Sequence, residues 1–147
     1  HVWGLEPSPE MRARALKRAS DIKFNLEFLN LKAEEIPLAD KSADTVLVTY
    51  TLCTIPEVVR ALKGMRRVLK PGGRLIFCEH GRAPDANVSK WQDRITPTWK
   101  ALAGGCHLAR PIPDLIRQGG FEIEKMETMY LPSTPRFAGY NYWGSAK

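Results

Sequence analysis

Two internal histidines, three cysteines and a few well-placed carboxylates carry the reactive chemistry of this 147-residue chain. His80 follows Glu79 at the close of an apolar run, Arg74 to Cys78. An imidazole at the end of a strand bordering a crevice suits a general base acting on a thiol or hydroxyl; the other reading is a hydrogen-bonded structural histidine. His107 follows a Gly-Gly-Cys loop, where it either lines an acceptor pocket or serves structure alone. Cys53, Cys78 and Cys106 stand far apart with no C-x-x-C pair, so their spacing assigns no metal site and points to reduced thiols in a cytoplasmic compartment. For Cys53 and Cys106, inert buried thiols are the ordinary reading, with pocket-facing thiols the alternative. Glu6 closes the apolar segment Val2 to Leu5, and an acid at the carboxyl end of an early strand is the group with which α/β nucleotide sites accept hydrogen bonds from ribose hydroxyls.

These groups need elements to position them, and the chain alternates strand and helix signals in a way that predicts an α/β layered fold. Val2 to Leu5 reads as a buried strand. Ser8 as N-cap, Pro9 at the first helical position and Glu10 in the first turn then start a helix to about Ala19, with Met11, Ala15 and Leu16 facing inward. Asn25 to Leu29 is a second strand. Asp44 to Thr49 is a third, and its nearly continuous apolar run predicts a central strand covered on both faces. Pro56-Glu57 opens a helix whose Val58, Leu62, Met65 and Leu69 recur at helical spacing, and Pro71-Gly72-Gly73 ends it before a fourth strand, Arg74 to Cys78. Arg82 to Arg110 is irregular, but Trp91 and Trp99 are eight apart, as on one helix face, where they pack or form an apolar acceptor wall with Trp143. A last helix, Pro113 to Gln118, stops at Gly119-Gly120. Phe121 to Tyr130 and Phe137 to Ala146 then form an antiparallel pair at the sheet edge. If the early strands are parallel, Glu6, the Ala33-Glu34 loop, Thr49 to Cys53 and Glu79-His80 gather in one crevice at their carboxyl ends.

Composition narrows the classes of function. The hydrophobic share of 44% and charged share of 26% suit one soluble domain, residues 1–147. The net charge of +6 would favour an anionic partner. The basic residues, however, fall within helices (Arg12, Arg14, Lys17, Arg18; Lys63, Arg66, Arg67, Lys70), where solvated faces and helix C-terminal turns account for them, and no nucleic-acid partner is expected. Neither a membrane span nor a signal peptide is visible, and the opening at His1, on a strand already under way, predicts a preceding segment.

Three segments carry a family resemblance: Gly-Leu-Glu-Pro-Ser-Pro-Glu-Met, Lys-Ala-Glu-Glu-Ile-Pro-Leu-Ala-Asp-Lys-Ser-Ala-Asp-Thr-Val and Arg-Val-Leu-Lys-Pro-Gly-Gly-Arg-Leu. Over about residues 2–81 their order and spacing resemble class I S-adenosylmethionine (SAM) dependent methyltransferases of the ubiquinone/menaquinone-biosynthesis-like group, methyltransferase type 11. Glu79-His80-Gly81, Trp91, Pro97, Trp99, Gly105-Cys106-His107-Leu108 and Tyr142-Trp143-Gly144 are similar to the methyltransferase-like family whose animal members are thiol methyltransferases of the endoplasmic reticulum and lipid droplets.

The resemblance implies a Rossmann-like, mostly parallel sheet with an antiparallel C-terminal hairpin, SAM as cofactor, and a small-molecule acceptor that is a thiol, a hydroxyl or lipid-like. It implies that Glu6 holds the ribose with Pro7 and Ser8 shaping the turn beneath it, that Ala33 and Glu34 line the adenine, and that Thr49 and Tyr50 sit under the methionine part. Residues 82–112 would be a substrate-capping insertion, and His80 the catalytic base. The chain departs from the pattern in two places. Lys32 occupies a slot often acidic in the wider group, and the family's first strand and helix, with the glycine-rich turn that holds the carboxypropyl end of SAM, are missing. Loss of a central strand leaves two rows of backbone groups unpaired. The expectation is therefore a longer native protein, or else strand exchange or homodimerisation; a catalytically incomplete fragment acting as a binding or oligomerisation module is the alternative function.

Overall fold

The computed structural model describes every residue except 22 and 30. Its elements are β1 (Val2–Leu5), α1 (Pro9–Arg18), β2 (Leu26–Leu29), β3 (Ala43–Thr49), α2 (Val58–Val68), β4 (Leu69–His80), α3 (Ala86–Leu102), α4 (Ile112–Gln118), β5 (Ile123–Tyr130), α5 (Arg136–Gly139) and β6 (Tyr140–Ala146). The α/β layering and its mixture of parallel and antiparallel pairs follow the expected pattern. The strands form two sheets. β1 and β2 pair in parallel, and β3-β4-β6-β5 form the second sheet, with β3 parallel to β4 and β6 antiparallel to both its neighbours.

The core lies between the larger sheet and helices α2 and α4. Val58, Ala61, Leu62, Met65 and Val68 recur three or four residues apart and all are buried, so one apolar stripe faces the sheet. It meets Val48, Leu75 and Phe77 from β3 and β4, Ile112 and Ile116 from α4, and Phe121. Leu69, expected as the helix's last apolar position, is buried as the first residue of β4. The loop after β2 joins this layer through Ala33 and Ile36 and through Arg67, whose guanidinium donates to the carbonyls of Ile36 and Leu38.

Several expectations are corrected. β3 is an edge strand of its sheet, not a central one, and Leu47 on its second face is 65% exposed, because no element covers that face. α1 forms as its cap dictates, with Ser8 Oγ accepting the Met11 N–H at 3.2 Å. Yet Met11 and Leu16 are 49% and 53% exposed and α1 buries no residue, so its apolar positions lack a surface to pack on. The stretch taken as irregular contains a seventeen-residue helix, α3, with Pro97 inside it. The segment expected as a strand from Phe137 starts with the short helix α5 before β6.

One polar side chain fastens α3 across the ends of the strands. Gln92, 1% exposed, accepts the Ala83 N–H through Oε1 at 2.9 Å. Its Nε2 donates to the carbonyls of Gly81, Leu108 and Phe137 at 3.0, 3.1 and 2.9 Å. These partners belong to the β4 terminus, the loop before α4 and α5, so the amide holds three segments to one helix. Gly81 is required at this junction, since a Cβ there would stand 2.6 Å from the Arg110 carbonyl oxygen. Replacing Gln92 by Leu removes every partner at once, and buried groups left without one cost about 1–3 kcal/mol each. Gln92→Leu is therefore expected to lower the urea midpoint of unfolding with m unchanged, whereas the exposed neighbour change Lys90→Ala leaves it near wild type.

Candidate active site

Glu79 organises the carboxyl end of the larger sheet. Its side chain is 0% exposed, and its carboxylate accepts the Thr51 N–H at 2.8 Å and the Leu52 N–H at 3.1 Å. This clamp bends the chain after β3 into a tight turn. Tyr50 there adopts φ 49°, in the left-handed region that non-glycine residues seldom occupy. Tyr50 is held on both sides. Its N–H donates to Cys78 O at 2.9 Å, and its hydroxyl donates to Oδ1 of the buried Asn141 at 2.8 Å. Burial is the largest influence on the Glu79 carboxyl and raises it to about 7, against the Thr51 and Leu52 amides and the Arg110 guanidinium, which favour the ionised form.

The turn, the end of β4 and the loop after α3 then meet. The His80 ring stacks on Tyr50 with centroids 6.3 Å apart, and its Nε2 lies 3.2 Å from Cys106 Sγ. The Cys53 carbonyl accepts the His107 N–H at 2.9 Å, tying the post-β3 turn to the loop carrying Cys106. Burial holds the His80 imidazole below its ordinary value, which leaves it neutral and able to accept a proton near pH 7. Burial, then the neighbouring Cys106, push the Cys53 thiol well above the usual thiol range. Arg110 donates through Nη2 to Ile55 O at 2.7 Å, while its buried Nη1 has no hydrogen-bond partner. His107 is likewise depressed, by burial first and then by the charges of Arg110 and Lys100.

The nucleoside residues expected from the sequence sit on the smaller sheet and its loops. Glu6 follows β1, and its Oε1 accepts the Ser8 N–H at 2.9 Å across Pro7, which gives the turn its shape. Arg12 braces the same turn, donating to Glu6 O at 2.7 Å. Ala33 packs against the main core, and Glu34 Oε1 accepts the Glu57 N–H at 3.4 Å, so the adenine loop touches the N-terminus of α2. Because β1 is parallel to β2 and β3 to β4, all four expected loops leave carboxyl ends of parallel pairs. Hydrogen bonds draw Thr49, Tyr50, Thr51 and Glu79-His80 into one cluster, with Thr51 Oγ1 donating to Thr49 O at 2.8 Å. Glu6 and Ala33-Glu34 lie on separate loops, after β1 and after β2.

Three participants were not singled out from the sequence: Glu79 as a clamp, Arg110, and Gln92 as the fastener of the cap. The Glu-His pair was visible at a strand end, but nothing in its spacing says that the carboxylate turns back to the preceding loop. Trp91 and Trp99 do share a helix face, lining with Ile95, Thr98 and Leu102 a groove of about 300 Å³ along α3. Trp99 also meets Phe137 edge-on at 5.8 Å.

Comparison with known proteins gives the family and the fold. The methyltransferase domain family matches residues 1–77. Thiol S-methyltransferase TMT1B of Homo sapiens is 36% identical over 148 residues, which covers 94% of this chain and 60% of that protein. The chain thus spans about 60% of that relative's length. Among solved structures, a SAM-dependent methyltransferase of Thermotoga maritima is 26% identical with a TM-score of 0.68, over 98% of this chain and 72% of that one. A SAM-dependent methyltransferase of Methanosarcina mazei, at 20% identity, shares the fold with a TM-score of 0.76, over 99% of this chain and 80% of its own.

The pH dependence of stability reports the clamp directly. The Glu79 carboxyl titrates near 7 in the folded chain against an ordinary value of 4.5. Between those values the folded state binds a proton that the unfolded state has lost, so the Glu79 contribution to stability is fully present below pH 4.5 and is lost as pH rises through 7. Denaturation midpoints measured from pH 5 to 7.5 should decline in the wild type relative to Glu79→Gln. Parallel profiles for the two proteins would contradict the assignment.

Proposed function

Since the chain belongs to the methyltransferase domain family and shares the fold of SAM-dependent methyltransferases, we propose that it forms the nucleoside-binding and acceptor-capping part of an enzyme that methylates the sulfur of a small apolar thiol. The observation that carries this reading is His80: a half-buried imidazole at the carboxyl end of β4, stacked on Tyr50 and facing a sulfur atom at 3.2 Å. The thiol preference is supported by the name and 36% identity of the human relative.

The residues fit the nucleoside half of SAM. Glu6 stands at the carboxyl end of β1, prearranged by the Ser8 N–H, where a ribose diol would be held. Ala33 and Glu34, in the loop after β2, would line the adenine, and Thr49 and Tyr50, at the end of β3, would border the methionine part. No close pair of glycines stands at a β-strand end to cradle the amino-acid terminus; Gly104-Gly105 follows α3 and Gly72-Gly73 precedes the main paired stretch of β4. That terminus is therefore held by groups outside these residues.

When bound, SAM supplies a methyl group already activated by its sulfonium. This chain aligns the acceptor, keeps water out and takes its proton. His80 Nε2 accepts the proton of the acceptor thiol. The groove of α3 beside Trp91 and Trp99 suits an apolar acceptor.

With SAM, a panel of alkyl and aryl thiols should release S-adenosylhomocysteine faster than matching alcohols and phenols. His80→Ala should lower kcat by about 10²–10⁴-fold, as loss of a positioned general base does. Glu6→Ala should instead raise the KM for SAM. Equal turnover of thiols and alcohols would remove the acceptor assignment.

A second proposal concerns assembly. β1 and β3 are free edges of their two sheets, and the second face of β3 is uncovered. We propose that one further strand, from a preceding segment or a second copy of the chain, bridges them. Light scattering across a concentration series is expected to show self-association of the 147-residue chain alone if a second copy supplies the strand; a monomer at every concentration would exclude that source.

A further inference from the structure

Cys53, His80 and Cys106 come from three separate elements, the turn after β3, the end of β4 and the loop after α3, yet their ligand-capable atoms all lie within 4.8 Å of one another. We propose that these three side chains form a binding site for a thiophilic divalent metal ion, zinc foremost, with the fourth coordination position open to the cleft. Zinc takes thiolate sulfur at about 2.3 Å and imidazole nitrogen at about 2.0 Å, which sets tetrahedral ligand atoms about 3.5–3.8 Å apart. The Cys106–His80 separation is already 3.2 Å. Closing the remainder takes side-chain rotation of less than about 1 Å per ligand on this geometry.

The donor set selects the metal. Two sulfurs and one imidazole nitrogen favour zinc and other soft borderline ions over magnesium or calcium, which require oxygen ligands. Three protein ligands with one position left over is the pattern of catalytic zinc sites. The scaffold is in place before any ion arrives. The His107 N–H to Cys53 O bond holds the first and third ligand segments together, and Tyr50 stacks on the second.

Charge balance points the same way. Two thiolates neutralise a divalent ion, the imidazole is neutral, and Glu79 offsets Arg110. Binding therefore releases two thiol protons to solvent while two sulfur lone pairs and the Nε2 lone pair pass to the ion, so affinity rises with pH.

The site stands on its own geometry. A further role rests on the proposed thiol methylation: an acceptor thiol entering the open position would lose its proton to buffer as it binds the ion as a thiolate, with the metal replacing His80 in acidifying it.

The test uses the reduced, chelator-treated chain titrated with Co²⁺ and then Zn²⁺. The expected result is visible absorption of tetrahedral cobalt together with a thiolate-to-cobalt charge-transfer band, both removed by stoichiometric Zn²⁺. Zinc affinity, read by competition with a chromophoric chelator, should fall in Cys53→Ser and in Cys106→Ser by more than the about 10–100-fold that follows loss of a supporting partner of a ligand. Cys78→Ser, outside the cluster, should bind as wild type does, and circular dichroism confirms that each variant is folded. A weak octahedral cobalt spectrum without a thiolate band, or unchanged zinc affinity in folded Cys53→Ser, overturns the site. Turnover is read separately. Methylation that proceeds equally with and without bound zinc removes the acceptor role alone, whereas tight zinc binding with no thiol methylation counts against the proposed function and leaves the site standing.

Discussion

The arrangement of the cleft depends on one buried carboxylate. Glu79 has no contact with solvent, and it spends its acceptor capacity on two consecutive backbone amides, those of Thr51 and Leu52. Those amides would otherwise be orphaned where the chain leaves β3. By satisfying them, the carboxylate sets the left-handed turn at Tyr50, and Tyr50 in turn supports the ring of His80. The Tyr50 turn and the His80 ring thus share one support, and a buried ionisable group is the natural place for that support to be sensitive to protons.

The sequence was most informative where local rules operate. Ser8, Pro9 and Glu10 place the start of α1 because an N-cap and an N1 proline act within one turn. Val58, Leu62 and Met65 define the buried stripe of α2 because a helix has a fixed period. The loops after the strands could be ranked as site residues because parallel pairing sends their carboxyl ends the same way. What stayed hidden depends on partners distant in the chain. The apolar run of β3 reads as fully buried, but its second face is bare, since burial needs a covering element that no single strand encodes. Pro97 and the surrounding polar residues obscured α3, which is set by the tertiary bonds of Gln92 rather than by propensity. Cys53, His80 and Cys106, dispersed over more than fifty positions, have no motif spacing and become a cluster only through the fold.

The two halves of the chain differ in how well they are held. The layer of β3 to β6 with α2 and α4 contains the core, and its cleft residues are fixed by buried hydrogen bonds. The β1–β2 pair and α1 attach mainly through the Ala33–Asp40 loop, by the packing of Ile36 and the bonds of Arg67. Stability within one chain is commonly uneven in this way, with ligand-binding segments drawn from the less stable part. The layer of the larger sheet is accordingly the more rigid part, and Glu6, after β1, rides on the more lightly anchored one.

The anchoring of α3 by a single amide also bears on how the groove along it can change. Because Gln92 fixes the helix by hydrogen-bonding to three main-chain carbonyls, the anchor makes little demand on the identity of the residues it holds. The side chains along the groove, Trp91, Ile95, Thr98 and Leu102, are left out of that task. Divergence can therefore remould the groove one position at a time, drifting from bulky to slender guests, while the hinge-pin beneath it stays where it was.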